Sequence, residues 1–300
     1  MKLITYTLLA LLAAFSLSCG QSRSPKPISQ SISSELQAEI DRITPLLKWS
    51  PYGQPLEEPY PSDSSGDAMS MNGRVMLDSG GALGSFQAVI DSIAADGHPY
   101  RSPSHVGATG NTFSRDALMG LIEASVAVKD NSQLLKVRNY YAANDSKMCP
   151  DANDNRCDVT ISMDLLVDEA LGKNINIASR ALDETTITGE ASTTPETYQS
   201  YLVMRKLRMH IELGELTEGY KAAIKVLHER FPKHPYASYL YVKSVSGNLE
   251  PIAQDILACM KTWKGPGEDW WGSYFEGCPA NPQGHELVSF AMLLIRESTP

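Results

Sequence analysis

The stretch "YRSPSHVGATGNTFSRDALMGLIEA", residues 100–124, sets Arg101, His105, Arg115 and Asp116 close together in the chain. Guanidinium groups bind acidic groups, and an aspartate or a histidine moves protons. The second half of the stretch is apolar at helical spacing, so the polar half falls on a loop that opens a buried helix. Such a helix is a rigid base, and the loop before it can present its side chains at the rim of a cleft. Asp67, in "SSGDAMSMNG", is a candidate second carboxylate. Glycosidases generally use two, about 5–9 Å apart. Asp116 also has a structural reading. It follows Ser114 in a first helical turn, where the macrodipole favours a carboxylate, with Arg101 or Arg115 as its partner.

The run "GEDWWGSYFEG" holds adjacent Trp270 and Trp271, with Tyr274 nearby. They can form a stacking surface for sugar rings, or pack beneath a loop pinned by a disulfide. "CPDANDNRCD" matches the first three ligand positions of a calcium loop with Asp151, Asn153 and Asn155. Arg156 stands where that loop needs glycine, and Ser162 where it needs glutamate. A solvated turn closed by a disulfide is the expectation there, with no metal and no cofactor. "SGGALGS" has neither the lysine of a phosphate loop nor dinucleotide spacing, and no G-x-S-x-G or H-E-x-x-H occurs. His98, His210, His228, His234 and His285 are scattered and read as surface or packing residues.

The elements that must position these residues are helical. "SSELQAEIDRITPLLKW" puts Leu36, Ile40, Ile43 and Leu47 on one face, with Ser33 or Ser34 as the N-cap. A proline-rich strap follows, and helical spacing resumes near Gly84 with Phe86, Val89, Ile90 and Ile93. Further helices are expected over 114–129, "NSQLLKVRNYYAAN" and "ISMDLLVDEALG". The next begins at Thr194 and Pro195 and ends at Gly214. In "ELTEGYKAAIKVLHERF", Tyr220, Ile224, Leu227 and Phe231 share a stripe. Helices near 237–245, 251–263 and 283–296 complete the set. Alternating strand patterns are absent, so the expected class is all-α, a multi-helix domain of antiparallel pairs with long loops.

Composition narrows the ligand. The 300 residues are 42% hydrophobic and 20% charged, which excludes global disorder. The net charge is −9 without a basic run, which speaks against nucleic acid. Residues 1–18 combine Lys2, an apolar run from Leu3 to Phe15 and small residues before Cys19. They resemble the signal peptide of bacterial lipoproteins, in which the cysteine is acylated; ordinary cleavage into the periplasm is the alternative. The departure is Ser16, three places before the cysteine, where that family favours leucine. The resemblance implies a membrane anchor at Cys19, and Gly20 in place of aspartate implies the outer membrane. A flexible tether over 19–32 and one helical domain over 33–300 are expected to follow.

Four cysteines remain, an even number suited to an oxidising compartment. Three pairings exist, and the local one, Cys149–Cys157 with Cys259–Cys278, closes two short loops. Each closure is expected to stabilise by roughly 2.5–3.5 kcal/mol.

Two further resemblances concern architecture. Residues 201–240 resemble a single tetratricopeptide-type hairpin through Leu213-Gly214, Tyr220, Ala223 and Pro232. The many helix pairs with polar loops resemble the α/α-toroids of carbohydrate-active proteins. The latter implies glycan binding or glycoside cleavage. The former implies a non-catalytic scaffold for another envelope protein. Convergence of Arg101, Arg115, Asp116 and a tryptophan in one pocket would favour the first, and a broad apolar groove the second.

Overall fold

A computed structural model describes residues 25–56, 68–195, 197–265, 278 and 283–299. Cys19, Asp67, Trp270 and Trp271 lie outside the described residues. Twelve helices make up the described fold: α1 Gln30–Ile43, α2 Ala68–Ser79, α3 Phe86–Asp91, α4 Arg115–Val128, α5 Ser132–Ala143, α6 Ile161–Ala170, α7 Ile177–Thr193, α8 Tyr198–Glu212, α9 Glu218–Arg230, α10 Pro235–Val245, α11 Glu250–Thr262 and α12 Gly284–Glu297. Among the described residues there are isolated bridges and no strands, so the class is all-α as expected.

Local chemistry sets most boundaries. Ser114 accepts a hydrogen bond from the Ala117 N–H and starts α4, while Lys129 ends it in the left-handed conformation. Gly214, at φ +78°, closes α8. Tyr220, Ile224, Leu227 and Phe231 are buried, as their stripe in α9 requires.

The structure departs from the sequence reading at two helix starts, at the tether and in two additional helices. α1 starts behind Ser29, not Ser33 or Ser34. Ser29 donates through its N–H and its hydroxyl to the two carboxylate oxygens of Glu250, at 2.7 and 2.8 Å. Lys26 bridges in parallel to Asn248. Residues 26–32, expected to belong to the tether, are therefore fastened to the helical body. α8 starts behind Thr197, not Thr194. Thr194 instead closes α7, and Arg230 donates to its carbonyl at 2.5 Å. Two helices, α2 and α7, occupy stretches in which no helix was expected.

Two apolar cores share the fold. One gathers α1 with residues of α7 to α12, and the other gathers α2 to α6. α8 belongs to both and packs against α4, α6, α7, α9 and α10. Its interior position is unusual for its sequence, because Arg205, Lys206, Arg208 and His210 are all buried. Burying a charge is tolerable only when it is paired. Arg205 grips Glu123 of α4 with two hydrogen bonds, at 2.9 and 2.5 Å. Arg208 lies 4.6 Å over the Tyr239 ring and pairs with Glu212. Arg74 of α2 meets Tyr201 of α8 and Glu286 of α12. A polar layer thus runs between the apolar cores.

The sulfurs of Cys149 and Cys157 stand 2.15 Å apart, and those of Cys259 and Cys278 2.30 Å apart. This is the local pairing expected from the spacing. The first pair closes the loop that leads into α6.

Candidate anion-binding cleft

Three helix N-termini meet at one cleft. Each has its capping hydroxyl: Ser114 for α4, Thr160 for α6 and Thr197 for α8. Unpaired N–H groups and the macrodipole make such ends partly positive. The cleft between them holds about 470 Å³. Arg101, Arg115, Asp116, Arg156, Glu190 and Lys206 supply its charged lining. Four cations thus face two carboxylates in a protein whose net charge is −9.

Each cation has a defined support. Lys206 projects from α8, has only 4% of its side chain exposed, and pairs with Glu190 of α7 at 2.7 Å. Arg115 stands in the first turn of α4 beside Asp116. Arg101 donates to the Asn111 side-chain oxygen at 2.8 Å. The Asn111 amide nitrogen donates in turn to Asp154 at 2.6 Å. Asp154 also accepts from the Arg156 side chain and backbone N–H. Hydrogen bonds from Arg156 and Asn111 hold the Asp154 carboxyl well below the usual carboxylate range, so it is ionised.

The floor and lip are mixed. Ser70 of α2 lines the cleft, and its hydroxyl accepts from buried Arg205 at 2.6 Å. Met163, Leu202 and Val203 add apolar surface, and Tyr198, 44% exposed, stands at the mouth. Such a surface can bind an acidic group, accept hydroxyl hydrogen bonds at Asp116 and Glu190, and cover an apolar ring face.

The structure therefore brings together Arg101, Arg115 and Asp116 from the sequence reading. It does not bring His105, whose Nδ1 lies 2.8 Å from the Ser102 hydroxyl and which does not line the cleft. Asp151 and Asn153 are exposed in the disulfide loop, and the carboxylate that loop commits to its neighbours is Asp154. Sequence reasoning missed Arg156, Glu190, Tyr198 and Lys206. The signal for Lys206 was present in "MRKLRMH", where cations are interleaved with apolar residues on a helix with no fully polar face.

The histidines are more engaged than their scatter implied. His98 stacks between Tyr100 and Tyr140, with centroids at 4.6 and 4.9 Å. His210 lies between Glu169 and Asp183, at 2.9 and 3.4 Å. Comparison with protein-family models, with curated proteins and with solved structures returns no match, so the reading of the cleft rests on its own chemistry.

Proposed function

We propose that the protein is a lipid-anchored envelope protein that binds an acidic saccharide in this cleft. The observation that carries the reading is the convergence of four cations and three helix N-termini on one concavity of an overall acidic chain. Neighbouring fixed positive ends and guanidinium groups favour an oxyanion over a neutral ligand. Asp116 and Glu190 would meet ring hydroxyls, and Tyr198 a ring face. A volume of about 470 Å³ falls in the range of small-molecule sites, enough for one or two sugar rings. A scaffold would call for a broad apolar groove, whereas this concavity is charged. Anchoring through Cys19 at the outer membrane belongs to the same proposal. An even set of paired cysteines supports an oxidising compartment.

The test is calorimetric titration with a galacturonate oligosaccharide and with its neutral galactose counterpart, followed by product analysis after long incubation. Binding of the acidic probe in preference to the neutral one is expected. Equal affinity for both would overturn the reading, as would failure to bind any acidic oligosaccharide, carboxylated or sulfated. New reducing ends would extend it from binding to cleavage.

A further inference from the structure

We infer that Asn111 and Asp154 are positioning residues that hold Arg101 and Arg156 as a pair for one singly charged oxyanion of the ligand, a carboxylate or a sulfate ester. The inference rests on the acidic-saccharide reading and adds the recognition device within it.

Arg156 is poorly placed to bind anything by itself. Its side chain is 60% exposed and springs from a single 3-10 turn, Asn155–Cys157, within the disulfide loop. Ordering a free arginine costs side-chain entropy, which a ligand would have to supply. Asp154 restricts that freedom. It takes the Nε–Nη2 edge of Arg156, with contacts at 3.0 and 2.6 Å, and the Arg156 backbone N–H at 2.9 Å. The guanidinium is oriented before any ligand arrives.

Asn111 extends the same order to Arg101. Its oxygen accepts from Arg101 and its nitrogen donates to Asp154. This orientation is forced, since a flipped amide would set NH₂ against a guanidinium and oxygen against a carboxylate. The relay Arg101–Asn111–Asp154–Arg156 therefore joins two loops through one amide and one carboxylate. Asp154 offsets one of the two positive charges. The pair faces the ligand with a single positive excess, which suits a monoanionic oxyanion.

The disulfide gives the relay its footing. Cys149 and Cys157 close the loop that carries both Asp154 and Arg156. The Met148 N–H donates to the Cys157 carbonyl at 2.9 Å, and Lys147 bridges to Asp158. The neck leads directly to Thr160, the cap of α6, which also lines the cleft. Arg115 and Lys206 stand on helices and do not depend on this relay.

The experiment titrates the full oxidised chain with three probes: a galacturonate oligosaccharide, a sulfated galactose oligosaccharide and a neutral one. The variants are Asn111→Ala, Asp154→Asn, the rescue variant Asp154→Glu and, for the cleft itself, Arg115→Ala, each checked by thermal melt. Asn111→Ala and Asp154→Asn are expected to weaken the preferred acidic probe tenfold or more. Neutral-probe binding should stay unchanged, and Asp154→Glu should recover part of the loss. Whichever of the two acidic probes shows the loss identifies the oxyanion. Unchanged or tighter acidic binding in both weakening variants would overturn the relay, because Asp154 would then be a competitor for Arg156. If wild type binds an acidic probe and only Arg115→Ala abolishes it, the relay fails while the cleft reading survives. If wild type binds neither acidic probe, both fail.

Discussion

Gly73 and Gly120 meet backbone to backbone where α2 crosses α4. A Cβ on Gly73 would lie 1.8 Å from the Gly120 carbonyl oxygen, and one on Gly120 would lie 2.2 Å from that of Met69. These are backbone atoms of packed helices, so relief requires the helices to separate. Gly73→Ala is expected to destabilise by more than about 3 kcal/mol, at the severe end of overpacking. Gly189 in α7 has open space around it, so Gly189→Ala should instead stabilise by roughly 0.5–1 kcal/mol through helix propensity. Urea unfolding of the two variants measures both. A Gly73→Ala protein as stable as wild type would contradict the crossing.

His210 and His285 should give stability opposite pH dependences. Burial acts to lower the His210 pKa, but contacts with Asp183 and Glu169 outweigh it and raise the pKa above its ordinary value. Arg180 faces Glu169 at 2.8 Å, and Tyr220 donates to Asp183 at 2.6 Å. A raised folded pKa means stabilisation that is complete below about pH 6.5 and lost as pH rises through the folded value. Burial lowers the His285 pKa to about 4, with the Arg74 charge assisting. Its ring packs edge-on to Trp49 at 4.7 Å. Between about pH 6.5 and 4 the unfolded chain binds the extra proton, so this contribution is lost as pH falls. The stability gap between wild type and His210→Gln should shrink above neutrality. The gap for His285→Gln should shrink on acidification. Flat gaps across the range would refute the assignments.

Glu123 and Arg205 form a buried bidentate pair beneath the cleft floor. Glu123→Gln should destabilise by about 3–5 kcal/mol, because it leaves a buried guanidinium without its counter-charge. Glu123→Met with Arg205→Met should recover much of that loss, since apolar side chains of similar volume replace both charges. A double-mutant cycle by denaturant unfolding reads the coupling. Additive single effects would show that the pair contributes nothing as a pair.

The same buried charges explain what was legible in the chain. α9 shows an apolar stripe and α4 a continuous apolar run behind the Ser114 cap, and the sequence marks both as helices. All twelve residues of α2 are buried, Arg74, Asp78 and Asn72 included. A helix enclosed on every side has no amphipathic period, and its polar positions find partners within the fold. Asn72, for example, both donates to and accepts from the Ser85 backbone, at 3.0 and 2.9 Å. α7 fails for the converse reason. It buries only Asp183, Ile187 and Ala191, while Ile177 is exposed. Arg101, Arg115 and Asp116 were recognisable because a capped helix lay directly behind them. Arg156, Glu190 and Lys206 reach the cleft from other elements, and only the tertiary fold shows that convergence.

Anchoring through Cys19 has a direct test. Cys19→Ala should move the protein from the membrane fraction to the soluble fraction and remove the lipid mass from its N-terminal peptide. An unmodified Cys19 in a wild-type protein that is already soluble would refute lipidation. The periplasmic alternative would then stand.

Asp116 separates a saccharide from a simple anion. Asp116→Asn keeps the shape and leaves the Ser114 cap in place while removing a charge that favours the helix start, so its stability loss should stay near about 1 kcal/mol. If the ligand were merely an anion, removing a carboxylate beside Arg115 would relieve repulsion and tighten binding. If the ligand is a saccharide, Asp116 accepts hydroxyl hydrogen bonds. Losing such a charge-assisted contact costs about 1.5–3 kcal/mol, or tenfold and more in affinity. Asp116→Asn is therefore expected to weaken the acidic and the neutral oligosaccharide alike. Arg115→Ala should weaken the acidic one alone. Titration of both variants with both probes decides the matter. Tighter acidic binding by Asp116→Asn would leave an oxyanion site and remove the sugar from the proposal.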